Sequence, residues 1–275
     1  MTGAQATWLP GGRLHLHHGP IDLILQGWGT DAALRDGYAR ASRRFDTILA
    51  ELADELPALR SEDATLTGPV AQVMAAAVAP FRPAFITPMA AVAGAVAQTI
   101  LAAFVQPGIT RAYANNGGDI ALHLDPGQSM TCAIAGTAGQ ITIRHQDAVR
   151  GIATSGWRGR SWSLGIADSV TVLARTAAQA DAAATMVANA VDLPGHPAIT
   201  RRPATALQAD SDLGIQLVTT GVAPLTPPDI ARALDRGAAA VGAFRAQGLI
   251  EAAALFLHPD SRTLGPILMK EAHIA

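Results

Sequence analysis

The chain has 275 residues, 49% of them hydrophobic and only 15% charged, with a formal net charge of −2. That balance supplies a large core and excludes a disordered chain. It also excludes the strong basic field that holds a nucleic acid backbone or an anionic membrane surface.

Aromatic residues make up 4% of the chain, so Ala, Val, Leu and Ile must fill the core, and such small side chains let backbones approach closely. Cys132 is the single cysteine; it cannot form an internal disulfide and lies in an apolar run, as a buried structural thiol would. Residues 1–12 hold no basic stretch followed by an apolar run, so no signal peptide is expected and the chain is placed in the cytoplasm.

In chain order, Arg13 to His17 alternates polar and apolar and predicts a strand, and Ile21 to Leu25 predicts a second after the Gly19-Pro20 turn. His15 and His17 share one face of the first strand. That spacing suits a metal, but no cysteine or carboxylate joins them locally, so solvent-facing or packing roles are expected. From Asp31 to Leu56 apolar residues recur every three or four positions, a long amphipathic helix with Asp31 as its N-cap. Two Ala-rich helices follow at about 67–79 and 89–104.

The second of these lies within 28 uncharged residues between Arg82 and Arg111. A membrane span needs ~20 apolar residues. This stretch opens with Pro83 and Pro88, is mostly Ala and Gly, and carries Gln98 and Thr99, so a buried core helix is expected. Short β-like runs then occupy 110–115, 119–124, 130–135, 140–145 and 149–154. The turns Gly117-Gly118, Asp125-Pro126-Gly127 and Gly136 to Gly139 divide them into what reads as an antiparallel meander. A strand at 169–174 and a helix at 177–191 follow. Residues 194–208 carry little pattern, and 213–219, 227–247 and 250–257 read as strand, helix and strand. The expectation is one α+β domain over 1–275, with a mixed or antiparallel sheet and packed helices; two lobes around a central cleft are a variant of that plan.

Three constellations carry chemistry. Asn116, Gly117, Gly118 and Asp119 join two β-like runs; paired glycines bring main-chain N–H groups close to a ligand, and the same residues are ordinary hairpin-turn chemistry. Thr154, Ser155 and Gly156 leave a strand with hydroxyls and N–H groups that bind phosphate or simply cap a turn. Asp181 and Thr185 stand at i, i+4 on one helix face, where a carboxylate and a hydroxyl can share a hard cation such as Mg²⁺; an early helical Asp is also favoured electrostatically, and a Thr can bond back to a carbonyl.

In this order, with the strand Ser169 to Ala174 between the second and third, the constellations resemble the core of the ApbE-like superfamily over about residues 85–190. Its best-known members are the FAD:protein FMN transferases, which use Mg²⁺ to attach FMN to a Ser or Thr of a partner protein. Gly19 to Leu23, Glu55 to Arg60 and Pro88 to Ala95 resemble an uncharacterised side branch. The resemblance implies a T-fold-related architecture and a flavin cleft, for FAD or FMN, lined by Asn116 to Asp119 and Thr154 to Gly156. It also implies magnesium ligands at Asp181 and Thr185, and a helix near 89–97 that offers a carbonyl to the metal.

The flavin transferases' His-Ile-Ile-Asp-Pro-x-Thr-Gly stretch is missing: 12 residues, Trp157 to Asp168, separate Gly156 from Ser169, with neither His nor Pro among them. The lysine of the family helix is absent too, its place taken by Ala93-Gly94. Both losses remove groups that stabilise charge in phosphoryl transfer. Asp168 and Arg160 in the shortened loop are the candidate replacements. His145, before Gln146-Asp147, is a third through expected proximity to the Ser155 turn. Trp157 and Trp162 could stack on a planar ring or cover a core edge.

Three readings follow. The first is a Mg²⁺-assisted flavin or nucleotide-binding enzyme acting with a small-molecule ligand and an acceptor protein. The others are a small-molecule enzyme that kept the cleft without flavin, and a non-catalytic flavin carrier. A homo-oligomer built on the Ala-rich helices is compatible with each.

Overall fold

The computed structural model describes residues 3–63, 65–134 and 139–266. Alternating patterns near the N-terminus become the strands β1 (Gln5–Leu9), β2 (Arg13–His18) and β3 (Ile21–Gly29), with Leu14, Leu16, Leu23 and Leu25 turned inward. The helix α1 (Asp31–Asp54) buries Ala33, Ala41, Phe45, Ile48 and Leu52 along one stripe. Its N-cap is Thr30, whose hydroxyl accepts from the Ala33 N–H; Asp31, expected at the cap, is the first helical residue and favours the positive end of the helix dipole. A short α2 (Leu56–Leu59) follows, then α3 (Pro69–Val78). A 3₁₀ turn, Pro88–Ala91, leads into α4 (Val92–Phe104).

Beyond α4 come β4 (Ile109–Asn116), β5 (Asp119–Leu124), β6 (Ser129–Ala133), β7 (Gln140–Arg144), β8 (Gly151–Ser155) and β9 (Ser169–Ala174). The remainder is α5 (Ala177–Ala190), β10 (Ile199–Pro203), β11 (Leu217–Val222), α6 (Pro227–Ala246), β12 (Ala252–Leu257) and β13 (Asp260–Leu264). The fold is α+β. A nine-stranded sheet, antiparallel at every described pairing, runs β1-β2-β3-β4-β5-β8-β9-β12-β13. Its inner face, with Ala114, Ala121, Ala153, Val172 and Leu255, packs with the helices into one continuous apolar cluster.

The expected meander is interrupted. Among the described residues β6 and β7 pair only with each other, and β5 pairs directly with β8 through Ile120↔Ile152 and Ala121↔Gly151. One-sided alternation explains it: Met130, Cys132, Ile134, Ile141 and Ile143 cover Leu122, Leu124, Ile152 and Leu173 on the outer face. Most of the turn expected at Gly136 to Gly139 lies outside the described residues.

β1, β10 and β13 went unpredicted. β1 and β13 are the exposed edge strands of the sheet, and β10 carries Arg201 and Arg202 where a buried strand would alternate apolar residues. The uncharged segment after Arg82 is divided between the 3₁₀ turn and the 13-residue α4, with Ala95, Val96, Ala97, Ile100 and Phe104 buried. Among the described residues no helix is long and apolar enough to cross a membrane.

Candidate functional site

The site is built where the β4–β5 turn, the end of β8 and the N-termini of α4 and α5 meet. Strand alternation that buries Ala114 and Ala121 also turns Asn116 and Asp119 to the inner, helix-covered face, where they are direct cross-strand partners. Asn116 donates from Nδ2 to the Ala93 carbonyl at 3.1 Å. Asp119 accepts the Thr154 N–H at 3.1 Å.

Opposite them, α4 and α5 cross at close quarters because residue 94 is glycine. A Cβ there would stand 2.3 Å from the Ala177 carbonyl oxygen. The Gly94 N–H, in the first turn of α4, donates to Asp181 Oδ2 at 2.9 Å. Ala91, the N-cap of α4, supplies no side-chain bond, so Asp181 serves the unsatisfied N–H groups of a helix that is not its own.

Two carboxylates from different elements thus face a common space. Burial pushes Asp119 up to about 7, opposed by the Thr154 N–H and by the Arg160 charge. Asp181 rises well above the carboxylate range, first through burial and then through the Asp119 charge, against the lowering effect of the Gly94 and Ala93 N–H groups. Asp181 keeps some accessible surface, but protein crowds its carboxyl on most sides. Thr185 follows one turn along α5, half-buried, and its hydroxyl makes no hydrogen bond among the described residues. Asn189, one turn further, accepts from the Leu164 N–H at 2.9 Å and the Ser163 hydroxyl at 3.2 Å. Asp181, Thr185 and Asn189 are therefore one polar stripe on an alanine helix: two members face the site, and the third anchors the loop 157–168.

That loop brings Arg160 to the site. Gly117, at φ +65°, leaves room for the guanidinium; a Cβ there would lie 2.1 Å from Arg160 Nη2. Gly118 donates its N–H to the Asn115 side chain at 2.9 Å, so turn chemistry and site geometry coincide at this hairpin. Gly156 passes tightly against the chain, where a Cβ would stand 2.5 Å from the Asp168 carbonyl oxygen. Ser155 is half-buried on the inner face of β8.

Three expected residues are placed differently. The Thr154 hydroxyl pairs with Thr171 Oγ1 at 2.9 Å on the outer sheet face, so its N–H, not its side chain, reaches the cluster. Asp168 is a tie between loops: Oδ1 accepts from Arg158 Nε at 2.5 Å and Oδ2 from the His258 N–H at 2.8 Å. His145 does not approach Ser155. Its Nδ1 lies 2.7 Å from the Leu124 carbonyl oxygen, and its own carbonyl accepts from Arg150, at the opposite end of β5 from Asp119. Five residues of strand put roughly 16 Å between those ends. The direct β5–β8 pairing moved His145 away, because the β6–β7 excursion returns to the sheet at the far end of β8.

Trp157 buries its indole N–H with no hydrogen-bond partner among the described residues, and Trp162 is 41% exposed. Thr87, which precedes the 3₁₀ turn, bonds Asp212 Oδ2 at 2.5 Å and holds the loop before β11 beside α4. Two open hollows, of about 520 and 780 Å³, lie elsewhere, one beside Trp8 and Tyr38 and one beside His196 and Arg236; neither includes a residue of the cluster.

A family model described as AbpE bacteria matches residues 6–264. Among curated proteins the chain is similar to the UPF0280 protein of Methanococcoides burtonii, 38% identical over 122 residues, covering 42% of this chain and 49% of that one. It is also similar to the UPF0280 protein of Methanothermobacter thermautotrophicus, 40% identical over 122 residues, covering 41% and 46%. The chain spans about half the length of the curated relatives it matches. Among solved structures, the apo form of the Pseudomonas stutzeri flavinyl transferase ApbE aligns over 96% of each chain, at 11% identity and a TM-score of 0.42.

Proposed function

This chain belongs to the AbpE bacteria family, an ApbE-like family, and on that premise we propose that it binds a flavin nucleotide, FAD or FMN, with Mg²⁺ where the β4–β5 turn meets the α4–α5 crossing. The observation that carries the reading is the Asp119–Asp181 pair. Both carboxyls are desolvated, and the Asp119 charge further disfavours ionising Asp181, so the two are unfavourable together as anions unless a cation joins them. Among the described residues, the exposed Arg160 is the cation that acts on Asp119.

The donor set fits magnesium. Asp181 has a second carboxylate oxygen beyond the one bonded to Gly94, Thr185 has an uncommitted hydroxyl, and the Ala93 carbonyl lies at the head of α4; all are hard oxygens. Bound there, Mg²⁺ would neutralise phosphate charge and orient the pyrophosphate. Arg160 would form charge-assisted hydrogen bonds to the phosphate and supply the positive charge that the missing family lysine would provide. Ser155 and the Gly117-Gly118 turn would line the nucleotide, and the Thr154 N–H would keep Asp119 oriented. Asp168 and Arg158 would hold the loop that carries Arg160. With the superfamily's histidine absent, the reading extends to nucleotide binding and to an acceptor protein for any group released, with the reaction itself left open.

The test is calorimetric titration of metal-stripped protein with FAD, with and without Mg²⁺, on wild type, Asp181→Asn and Arg160→Gln. Asparagine can still accept from Gly94 and so preserves the crossing. Wild type should bind FAD in a Mg²⁺-dependent manner, Asp181→Asn should lose that dependence, and Arg160→Gln should weaken binding about 10-fold or more, the loss of a hydrogen bond to a charged group. Folded wild type that ignores FAD in the presence of Mg²⁺ would refute the reading.

A further inference from the structure

We propose that His15, His17 and Asp22 form a binding site for a divalent transition ion such as Zn²⁺, on the open outer face of the β2–β3 hairpin. The site is independent of the magnesium cluster, which lies on the inner face of the sheet.

Burying Leu14 and Leu16 turns His15 and His17 together to the outer face. Asp22 is the direct cross-strand partner of His17, which brings their Cβ atoms to about 4.5–5.5 Å. It is also the diagonal neighbour of His15, and His15 Nε2 lies 2.9 Å from Asp22 Oδ1. One carboxylate therefore stands between two imidazoles whose ring centroids are 6.3 Å apart. The sequence separates Asp22 from the histidines by a turn, and only the hairpin register supplies the acidic ligand.

Among the described residues no three His, Cys, Asp or Glu side chains already surround a metal position. Here the shortfall is small. With Zn–N bonds of about 2.0–2.1 Å, tetrahedral coordination sets two imidazole centroids roughly 5 Å apart, so the rings need to close by about 1 Å. The His15 and Asp22 side chains are 30% and 55% exposed and His17 is half-buried, so adjusting their rotamers disturbs no core packing. The ion would replace the His15–Asp22 hydrogen bond, with imidazole nitrogens and a carboxylate oxygen as ligands and water in the fourth position. Such a site would tie β2 to β3 near the exposed edge of the sheet.

The experiment is calorimetric titration of ZnCl₂ into full-length, tag-free, chelator-treated protein in a non-chelating buffer, with wild type, His15→Gln, His17→Gln, Asp22→Asn and Asp181→Asn. Wild type should bind one Zn²⁺ per chain with a Kd of about 10 µM or tighter; each hairpin substitution should weaken binding at least roughly tenfold, and Asp181→Asn should leave it unchanged. Circular dichroism checks that the surface variants remain folded. Zn²⁺ binding that is absent below about 100 µM in wild type, or equally tight in the His15→Gln/His17→Gln double variant, would overturn the proposal.

Discussion

Replacing Gly94 with alanine should destabilise this protein, although the same change in an ordinary helix stabilises it. Alanine is favoured over glycine within helices by about 0.8–1 kcal/mol. At Gly94, however, the new Cβ meets the Ala177 carbonyl oxygen at 2.3 Å, its carbon at 2.6 Å and the Ala178 nitrogen at 2.9 Å, all main-chain atoms that no rotamer change can move aside. The helices α4 and α5 must separate by several tenths of an ångström or more, and overpacking of that kind costs about 1–3 kcal/mol. Separation also stretches the bond from the Gly94 N–H to Asp181, worth about 0.5–1.5 kcal/mol to a protonated carboxyl. The net expectation is a loss of about 1–3 kcal/mol, or roughly 3–10 °C in Tm for a chain of this size. Urea denaturation and thermal melting followed by circular dichroism measure it. Gly242→Ala is the control: it lies in α6 with nothing within 4 Å of a new Cβ, and should gain about 0.5–1 kcal/mol. A Gly94→Ala protein that melts at or above wild type would refute the close crossing as described.

The raised carboxyls of Asp119 and Asp181 stay protonated in the folded state to higher pH than in the unfolded chain. Their contribution is therefore complete below about pH 4; that of Asp119 is lost as pH rises through about 7, and that of Asp181 as pH rises well above the ordinary carboxylate range. In metal-free protein, the stability of wild type relative to Asp119→Asn/Asp181→Asn should fall from pH 4.5 to 7.5, measured by urea midpoints; a difference that rises with pH would contradict the pairing. His145→Ala should cost about 0.5–1.5 kcal/mol, through the lost bond to Leu124, and leave FAD binding untouched. A tenfold loss of FAD affinity in that variant would mean that His145 reaches the site after all.

Much of the architecture was legible in sequence because it is local. The α1 stripe, the alanine helices and the alternating strands around Gly117-Gly118 are short-range patterns, and Asp181 with Thr185 is visible as an i, i+4 pair. Asn189 extends that spacing by one more turn on the same helix, but an amide carries no charge or metal preference that marks it as part of a site. β1 and β13 were missed because edge strands bury little and need not alternate. Strand adjacency in a meander would carry His145 to the Ser155 turn, but the apolar underside of β6 and β7 makes that hairpin a cover for the sheet and leaves His145 at the far end of β5.

By itself the sequence determined which residue types were available for chemistry and which faces of each element would be buried, since side-chain periodicity follows from backbone geometry alone. Only the tertiary structure decided which of them meet. Asp119 and Asp181 are 62 positions apart and their approach depends on the missing side chain at Gly94. Asp22 reaches His15 and His17 only through the register of a hairpin. Thr154 and Thr171 pair on the outer face, and Asp168 is held by Arg158 and His258. Contacts of this kind depend on how whole elements pack, and no local pattern encodes the distance between two side chains that the chain brings together from far apart.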